Sequence, residues 1–418
     1  MPTTNVLNVF RGAELVGSLF DEEPMRFVYA DRWLQKPETK CIAPDMEIKA
    51  AEHTGAAVVA YFENLLPEAA IRDFLKIKYQ TSTTFGLLSA IGGDTAGDLS
   101  LLPAGKSPSA PQYRDASWKQ IGILFSNPQA VLNPTQIEEG VRISLAGAQA
   151  KTSIYIHADG TPAIPLASSP ATHILKPDIK GIDSVWSSAL NETFIMKLAK
   201  AVGIGVADVE YQPVVKACLV KRYDRMLNDD GTIVRLHQLD LCQLDGKLST
   251  IKYESEGGPS LARCYQILRE NGVPASDLKR FVQWIFFNLF VGNHDSHAKN
   301  LAIYYPYDEG ARLTPFYDLL STSLYAGLSR TFAFKIGGEN LPGKINSACI
   351  IQMCDELNIK PKYALHLAHE VAEEIKRHLD DISMELARVA KPGTEQTLLE
   401  RLSTYVKNNT KKVNAKLV

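Results

Sequence analysis

The sequence predicts an α+β protein with two lobes and a small N-terminal α/β module. Short β-rich runs before a helical pattern at residues 55–78 indicate the module, which we place at residues 1–105. Strand-like runs dominate residues 118–245, the predicted N-terminal lobe, and helical periodicity dominates residues 246–418. Residues 103–117 hold three prolines among small polar residues, which is typical of a linker. We therefore expect an α/β N-terminal lobe and an all-helical C-terminal lobe after the module.

The individual elements follow from periodicity and turn signals. One helix, Ser184–Val202, interrupts the strands of the N-terminal lobe, and the C-terminal helical pattern is clearest at Ser276–Val291 and residues 362–391. The strand-like runs are Arg142–Leu145, Thr152–His157, Thr172–Leu175, Val209–Val215, Leu219–Tyr223 and Thr232–Gln238. An α/β lobe followed by a helical lobe is the layout of several kinase-type folds, an analogy that does not establish activity.

The composition is that of an ordinary globular protein. Of 418 residues, 45% are hydrophobic and 22% charged, which excludes a disordered chain. Lysine and arginine number 45 against 47 aspartates and glutamates, for a net charge of −2. Because this balance gives no broad positive field, any contact with nucleic acid must be local or made through a partner.

Cysteine usage and hydropathy indicate a cytoplasmic protein. The six cysteines include no Cys-x-x-Cys pair, so we interpret them as buried thiols in a reducing compartment and expect no zinc site. The N-terminus lacks the basic start and long apolar run of a signal peptide. The most apolar stretch, Phe281–Val291, is far shorter than the roughly 20 residues that a membrane span needs. We therefore expect no membrane association.

The strongest chemical signal is a polar loop, Gly292–Asn300, that follows an apolar helical stretch. Asp295 and Asn300 are five residues apart, the spacing of the catalytic aspartate and the metal-binding asparagine in protein kinases. A carboxylate can accept the proton of an attacking hydroxyl, and an amide oxygen can hold magnesium on phosphates. Asp318 follows between large apolar residues, where a charge is costly without a cation, so we predict a second magnesium ligand there.

A purely structural role is the alternative for these residues. Asx side chains commonly cap or shape loops, and a lone Asp-x4-Asn would be interpreted that way. The concentration of polar residues behind the apolar helix, together with Asp318, favours a functional loop.

A second loop, upstream at residues 141–152, is predicted to contact phosphates. Small residues lie between two strand patterns, and a β-hairpin there could place backbone N–H groups over phosphates. It is not a Walker A loop, because no glycine precedes Lys151 and no helix follows. A plain tight hairpin explains the same pattern. The predicted nucleotide contacts of the two loops are Ala146, Gly147, Ala148, Gln149, Lys151, His297 and Lys299.

Lys176 and Glu192 are predicted to form an ion pair. Lys176 follows an apolar strand, and Glu192 lies on the apolar face of the next helix, where an acidic side chain needs a partner. A strand lysine paired with a helix glutamate aligns nucleotide phosphates in protein kinases. A salt bridge at a helix end is the open alternative for Glu192.

The segment His237–Gln243 would connect the two lobes. Backbone N–H and C=O groups in such a connection can bind the edge of an adenine ring. Because sequence shows no backbone contacts, this expectation rests on position alone.

These segments, taken in order, resemble the HipA family of bacterial toxin serine/threonine kinases. The resemblance extends from the N-terminal module to the C-terminal lobe and so covers most of the chain. The joint order of the motifs is specific, although no single motif is. The matching segments are Tyr61–Pro67, Ile143–Thr152, Thr172–Lys176, Asn191–Glu192, Val220–Arg225, His237–Gln243, Gly292–Asn300 and Tyr317–Leu319.

The resemblance implies a serine/threonine-protein kinase that uses ATP and Mg²⁺. Asp295 would be the catalytic base. Asn300 and Asp318 would bind magnesium, and Lys176 would contact the phosphates. Glu192 would support that lysine as its ion-pair partner.

The resemblance also assigns adenine recognition and regulation. The backbone of Leu239 and Leu241 would bind the adenine. Ser144 resembles the family's autophosphorylated serine, and we hypothesise that a phosphate there, with about −1.5 to −2 charges, switches the enzyme off. A solvent-facing hairpin residue is the alternative for Ser144.

Partners are implied by the resemblance in the same way. The expected protein substrate is an aminoacyl-tRNA synthetase, and the expected partner is a small helix-turn-helix antitoxin of the HipB type that brings the complex to operator DNA. A basic C-terminal tail could touch DNA phosphates, or could be a frayed, solvated helix end. Its lysines are Lys407, Lys411, Lys412 and Lys416.

Other activities stay open. A metal-dependent phosphohydrolase could use His237, His294, Asp295 and Asp318, although His237 falls on a strand-like run and the Asp295–Asn300 spacing would be unexplained. A catalytically inactive, kinase-like module could act only by binding its partner. Within the kinase class, a small molecule could be the phosphate acceptor.

Overall fold

Each of two structural units is assembled from separate segments of the chain. The computed structural model describes residues 5–37, 39–126, 151–306 and 309–417. Unit 1 comprises residues 1–175, 222–250 and 304–307, and unit 2 comprises residues 176–221, 251–303 and 308–418. The predicted N-terminal lobe therefore contributes to both units, and the boundaries at 105, 118 and 245 stay predictions.

Strands and helices alternate in the first half of the chain, and helices dominate the second half. The strands are β1 (Val6–Arg11), β2 (Glu14–Phe20), β3 (Arg26–Tyr29), β4 (Leu99–Pro103), β5 (Tyr113–Asp115), β6 (Thr152–Ile156), β7 (Pro162–Pro165), β8 (His173–Pro177), β9 (Val209–Gln212), β10 (Ala217–Lys221), β11 (Arg225–Leu227), β12 (Ile233–Arg235), β13 (Gln238–Asp240), β14 (Ala302–Tyr304) and β15 (Arg312–Leu313). The α-helices are α1 (Asp31–Leu34), α2 (Ala56–Glu63), α3 (Ala69–Lys78), α4 (Thr84–Ile91), α5 (Trp118–Ser126), α6 (Ser188–Val202), α7 (Leu241–Leu244), α8 (Leu261–Glu270), α9 (Ala275–Val291), α10 (Ser347–Leu357), α11 (Pro361–Ala387) and α12 (Thr394–Leu417).

Two antiparallel sheets and the antiparallel pair β11–β12 contribute to the described part of unit 1. The first has the strand order β3-β2-β1-β4, and alternation along β1 buries Leu7 and Val9 in its core. The second includes the order β5-β7-β6-β8. The helical pattern at residues 55–78 corresponds to α2 and α3, with Pro67 between them.

Unit 2 has a helical core. Helices α6, α9, α11 and α12 pack on one another, and strands β9 and β10 form an antiparallel pair. From Phe281 onward, helix α9 is apolar on almost all sides and nearly all of its residues are buried, with Phe281, Trp284 and Phe287 fully buried. Trp284 stacks on Phe316 with ring centroids 5.6 Å apart. This core supports the polar loop that follows α9.

The structure corrects several sequence expectations. Residues 113–115, assigned to a linker, form the edge strand β5, which proline-rich flanks had masked. Helix α5 was not predicted, and the C-terminal region expected to be all-helical includes β14 and β15. The predicted strand Arg142–Leu145 lies outside the described residues.

The structure tests the expectation that the cysteines are buried thiols, and it shows the length and hydropathy of the helices. All six cysteines are free thiols; four are buried, but Cys41 and Cys349 are only half-buried, so the expectation of uniformly buried thiols is wrong. Among the residues that the structure describes, no helix combines the length and the apolar character needed to cross a bilayer.

Candidate active site

Lys176, Glu192 and Asp318 form a buried charge cluster in unit 2, called here the lysine–carboxylate cluster. Lys176 Nζ contacts Glu192 Oε1 and donates a hydrogen bond to Asp318 Oδ1 at 2.7 Å. The side chains of Lys176 and Glu192 are 4% and 1% exposed, whereas that of Asp318 is 29% exposed. The cluster is therefore closed on the glutamate side and reaches solvent through Asp318.

Electrostatics keep Lys176 protonated. Burial lowers its pKa, but the carboxylates of Asp318 and Glu192 outweigh that effect and raise the pKa of Lys176 above its ordinary value. One positive and two negative side chains leave a formal charge of −1 on the cluster. That excess can attract a further cation.

Asn300 joins the cluster from the polar loop. Its Nδ2 donates to Asp318 Oδ2 at 3.1 Å, and its Oδ1 accepts a hydrogen bond from the backbone N–H of His297 at 2.9 Å. Asn300 and His297 are both buried. The amide of Asn300 thus lies against the exposed carboxylate, with its oxygen fixed by the loop backbone.

The segment that carries Asp318 is held by contacts of the two residues that precede it, Phe316 and Tyr317. Asp318 has a φ of +63°, a left-handed conformation that costs a non-glycine residue about 1 kcal/mol or more. Phe316 forms a parallel bridge with Val206, and the Tyr317 hydroxyl donates to the carbonyl of Lys299 at 2.7 Å. These contacts keep the carboxylate beside Asn300 despite the strained backbone.

Arg280 of α9 links the same segment to the end of α6. Its guanidinium donates to the carbonyls of Ile204, Gly205 and Thr314 at 3.0, 2.9 and 3.0 Å. It also lies over the ring of Phe316, 5.3 Å from the centroid. One buried helix therefore fixes both the helix that carries Glu192 and the segment that carries Asp318.

A buried amide and hydroxyl network shapes the polar loop. Asn293 Nδ2 donates to Asn288 Oδ1 at 2.9 Å and to Ser296 Oγ at 2.7 Å, and Ser296 Oγ donates to Asn288 Oδ1 at 2.8 Å. Asp295 alone in this part of the loop is exposed. Its backbone N–H donates to Asn293 Oδ1 at 3.2 Å, and its Oδ1 accepts from the Tyr253 hydroxyl at 2.7 Å. The loop presents the Asp295 carboxylate outward.

The end of α9 requires a glycine. Gly292 has a φ of +68°, and a Cβ at this position would collide with the hydroxyl oxygens of Tyr405 and Ser323. Asn409 of α12 donates to the carbonyls of Leu289 and Phe290 at 3.0 and 2.8 Å, so the last turn of α9 is capped by another helix.

The predicted site residues fall into three groups. Lys176, Glu192, Asn300 and Asp318 come together, with Asp295 in the same loop as Asn300. The other described residues are buried His297, half-buried Lys299 and Lys151, and Leu239 and Leu241, which are buried in unit 1. Ser144, Ala146, Gly147, Ala148 and Gln149 lie outside the described residues.

Sequence reasoning missed residues that hold the site from a distance. Asn191 donates to the Ser321 carbonyl at 3.0 Å and accepts from its N–H at 2.8 Å, which joins α6 to the chain beyond Asp318. Asn191 belongs to one of the segments that resemble the HipA family, but the sequence assigned no role to it. Tyr253 and Arg280 carried no local signal, because their partners are distant in sequence.

The surroundings of His294 count against the phosphohydrolase alternative, which needs this residue as a metal ligand. Both ring nitrogens of His294 have protein partners, the Ser329 carbonyl at 3.1 Å and Ser323 Oγ at 2.9 Å. Within the described ranges, no group of three His, Cys, Asp or Glu side chains could hold a metal ion. The exposed Asp318 carboxylate, with the excess negative charge of its cluster, is instead the kind of oxygen donor that Mg²⁺ uses together with substrate phosphates, and Asn300 lies beside it with its amide nitrogen towards the carboxylate.

Family models match both halves of the chain. The HipA N-terminal domain matches residues 7–102, and the HipA-like C-terminal domain matches residues 143–379, more than half of the sequence. The chain belongs to the HipA family. The resemblance drawn from the motifs is thereby confirmed.

HipA-family relatives align over nearly the whole chain. The putative kinase Y4mE of Sinorhizobium fredii is 33% identical over 397 residues, which cover 91% of this chain and 93% of the relative. The serine/threonine-protein kinase toxin HipA of Shewanella oneidensis is 27% identical over 409 residues, with 92% and 90% coverage. The names of these relatives support a protein kinase.

A solved HipA structure has the same fold. The Shewanella oneidensis complex of HipA, HipB and operator DNA contains a chain that matches with a TM-score of 0.84 at 24% identity, covering 98% of this chain and 99% of that one. The predicted α+β, kinase-like fold is therefore confirmed.

Proposed function

We propose that this HipA-family chain is an ATP-dependent serine/threonine-protein kinase and the toxin of a type II toxin–antitoxin system. The observation that carries the proposal is the bridge from Glu192 through Lys176 to Asp318, with Asn300 on the second carboxylate oxygen. A buried lysine between two carboxylates, one of them exposed beside an amide, suits phosphate and metal binding better than structural support.

Each residue of the site has a part in the proposed reaction. Asp295 orients a protein serine hydroxyl and accepts its proton as the serine oxygen attacks the γ-phosphorus of ATP. The new O–P bond forms while the bond between the γ-phosphorus and the β,γ-bridging oxygen breaks, and ADP leaves. Lys176, aligned by Glu192, contacts the phosphates. Asn300 and Asp318 hold Mg²⁺, which when bound neutralises charge on the phosphates.

Further nucleotide contacts belong to the proposal. The backbone of Leu239 and Leu241 binds the adenine edge. Asp240 between them accepts a hydrogen bond from the Gln243 N–H at 2.8 Å and so caps the N-terminus of α7, which fixes the local backbone. The remaining proposed contacts are Ala146, Gly147, Ala148, Gln149, Lys151, His297 and Lys299.

Regulation and partners follow by analogy with the relatives. We propose a HipB-like helix-turn-helix antitoxin as partner, operator DNA bound mainly through that antitoxin, and autophosphorylation at Ser144 as the off switch. The Shewanella complex, which contains HipA, HipB and operator DNA, supports the first two. The proposed substrate is an aminoacyl-tRNA synthetase, and the proposed location is the cytoplasm.

A labelled-phosphate assay tests the activity. The purified chain with Mg²⁺ and γ-labelled ATP should label a protein serine, and Asp295→Asn should lower the rate by on the order of 10²–10⁴. The matched control is Asp381→Asn on the exposed surface of α11, which should transfer at the wild-type rate. Near-native transfer by Asp295→Asn would show that another group is the base.

A further inference from the structure

Tyr253 contacts the proposed base directly, although it lies 42 residues away in sequence. Its hydroxyl donates to Asp295 Oδ1 at 2.7 Å, within the range of a charge-assisted hydrogen bond. The edge-to-face packing of its ring on the His297 ring, with centroids 5.1 Å apart, fixes the direction of the hydroxyl.

The backbone around Tyr253 is tied to the polar loop. The Lys252 carbonyl accepts a hydrogen bond from the Ala298 N–H at 3.4 Å, and the Glu254 N–H donates to the Ala333 carbonyl at 3.3 Å. The Ala333 N–H in turn donates to the His294 carbonyl at 2.9 Å. Tyr253 is thus held from both sides of Asp295.

A tight turn presents the tyrosine. Gly257 has a φ of +91°, and the Gly257 and Gly258 N–H groups donate back to the carbonyls of Glu254 and Tyr253 at 3.1 and 2.9 Å. A Cβ at Gly258 would lie 2.7 Å from the Ile251 carbonyl oxygen and 2.8 Å from that of Tyr253. The turn therefore closes only with glycine at this position, and it leaves the tyrosine little freedom.

We propose that Tyr253 is a positioning residue for phosphoryl transfer, whose hydroxyl holds the Asp295 carboxylate in the orientation that receives the substrate proton. This inference rests on the proposed function, because it assigns Asp295 the role of base. Asp295 is exposed on a loop whose neighbours are buried, so packing restrains its side chain less than it restrains theirs, and the Tyr253 hydroxyl adds a directional contact. Fixing a reacting group in advance raises the rate without tighter ATP binding.

Two substitutions separate the hydroxyl from the ring. Tyr253→Phe removes only the hydroxyl, and Tyr253→Ala also removes the packing on His297. Both should lower kcat about tenfold, while KM for ATP stays within about twofold. The control is Tyr265→Phe, whose ring packs near Phe281 at 5.9 Å and which should transfer at the wild-type rate.

A double-mutant cycle shows whether Tyr253 acts through Asp295. In an Asp295→Asn background, adding Tyr253→Phe should leave the residual rate within about twofold, because the base that it positions is already lost. A further tenfold loss in that background would overturn the inference. So would a wild-type kcat in Tyr253→Phe when Tyr253→Ala is impaired, since packing alone would then matter.

Failure of the two proposals can be told apart. A wild-type chain that transfers no phosphate contradicts the proposed function and the inference with it. A wild-type chain that transfers normally, beside a Tyr253→Phe variant with the same kcat, overturns the positioning role alone.

Discussion

Two buried charge clusters, one in each unit, differ in net charge and in exposure, and this difference distinguishes a structural role from a role in binding or catalysis. In unit 1, Asp94, Arg222, Asp224 and Arg225 form an arginine–aspartate network with contacts of 2.8–3.2 Å and side chains no more than 6% exposed. In unit 2, the lysine–carboxylate cluster has one cation for two carboxylates and leaves Asp318 29% exposed.

Charge balance and exposure decide what each cluster can do. Arg235 also contacts Asp94, at 3.3 Å, so three arginines enclose two aspartates and the network carries no excess negative charge. The backbone adds further bonds: the Gly97 N–H donates to Asp224 at 2.9 Å, and the Thr95 carbonyl accepts from Arg222 and Arg225. The lysine–carboxylate cluster carries excess negative charge at its exposed edge, which a stability role does not require.

The largest expected effect concerns the arginine–aspartate network. Arg225→Leu leaves Asp94 and Asp224 short of a buried partner, so the free energy of unfolding should fall by about 3–5 kcal/mol. Urea denaturation measures this, with Arg32→Leu on the exposed face of α1 as control, expected within about 0.5 kcal/mol of wild type. If Arg225→Leu lowers the free energy of unfolding by less than about 1 kcal/mol, the network does not have the structural role assigned to it.

The second effect falls on activity. Lys176→Met removes the cation between Glu192 and Asp318, so phosphoryl transfer should fall by about 10²–10³, or 2.7–4 kcal/mol of barrier. Single-turnover transfer from labelled ATP measures it, with thermal unfolding followed in parallel. If the rate stays within about threefold of wild type, the cluster is structural like its counterpart in unit 1.

A smaller effect tests the support beneath the polar loop. Gly292→Ala forces a Cβ into the hydroxyls of Tyr405 and Ser323 at a φ of +68°, and should cost about 1–3 kcal/mol of unfolding free energy. Gly310→Ala is the matched control, because no atom lies within 4 Å of its added Cβ. Equal stability of the two variants would mean that the end of α9 is not rigidly held.

The smallest effect is a pH dependence in the loop. Burial, helped by Arg330, lowers the pKa of His294 below its ordinary value of 6.5, so the unfolded chain takes up the proton first. The contribution of neutral His294 to the free energy of unfolding is therefore lost as the pH falls from about 6.5 towards the pKa of His294 in the folded protein. The loss is at most about 1.4 kcal/mol per pH unit. Unfolding of His294→Gln should depend less steeply on pH between 7.5 and 5.5; an unchanged slope would contradict this.

Local patterns anticipated the residues of the site better than their supports. The Asp295–Asn300 spacing and the acid on the apolar face of α6 are short-range signals, and the structure brings Asn300, Lys176 and Glu192 to Asp318. Their chemical roles stay predictions. The ion pair predicted for Lys176 and Glu192 is present, but the shared bond to Asp318 could not be derived, since 142 residues separate it from Lys176.

Long-range contacts explain what the sequence left out. The Tyr253 hydroxyl on Asp295 and the Arg280 bonds to Ile204, 76 residues away, depend on how the chain turns and leave no periodic pattern. The edge strand β5 escaped because edge strands tolerate proline and polar residues that composition assigns to linkers. Local periodicity predicts helices and strands, whereas the side chains that orient these elements are determined by tertiary packing.

Equilibrium binding of ATP to wild type and Asp318→Asn, with and without Mg²⁺, tests the central claim most directly. The account predicts that Mg²⁺ strengthens binding to the wild type and that Asp318→Asn abolishes this enhancement, because the substitution removes the exposed negative charge. Wild-type Mg²⁺-dependent binding by folded Asp318→Asn would contradict the claim that the lysine–carboxylate cluster binds the metal and nucleotide.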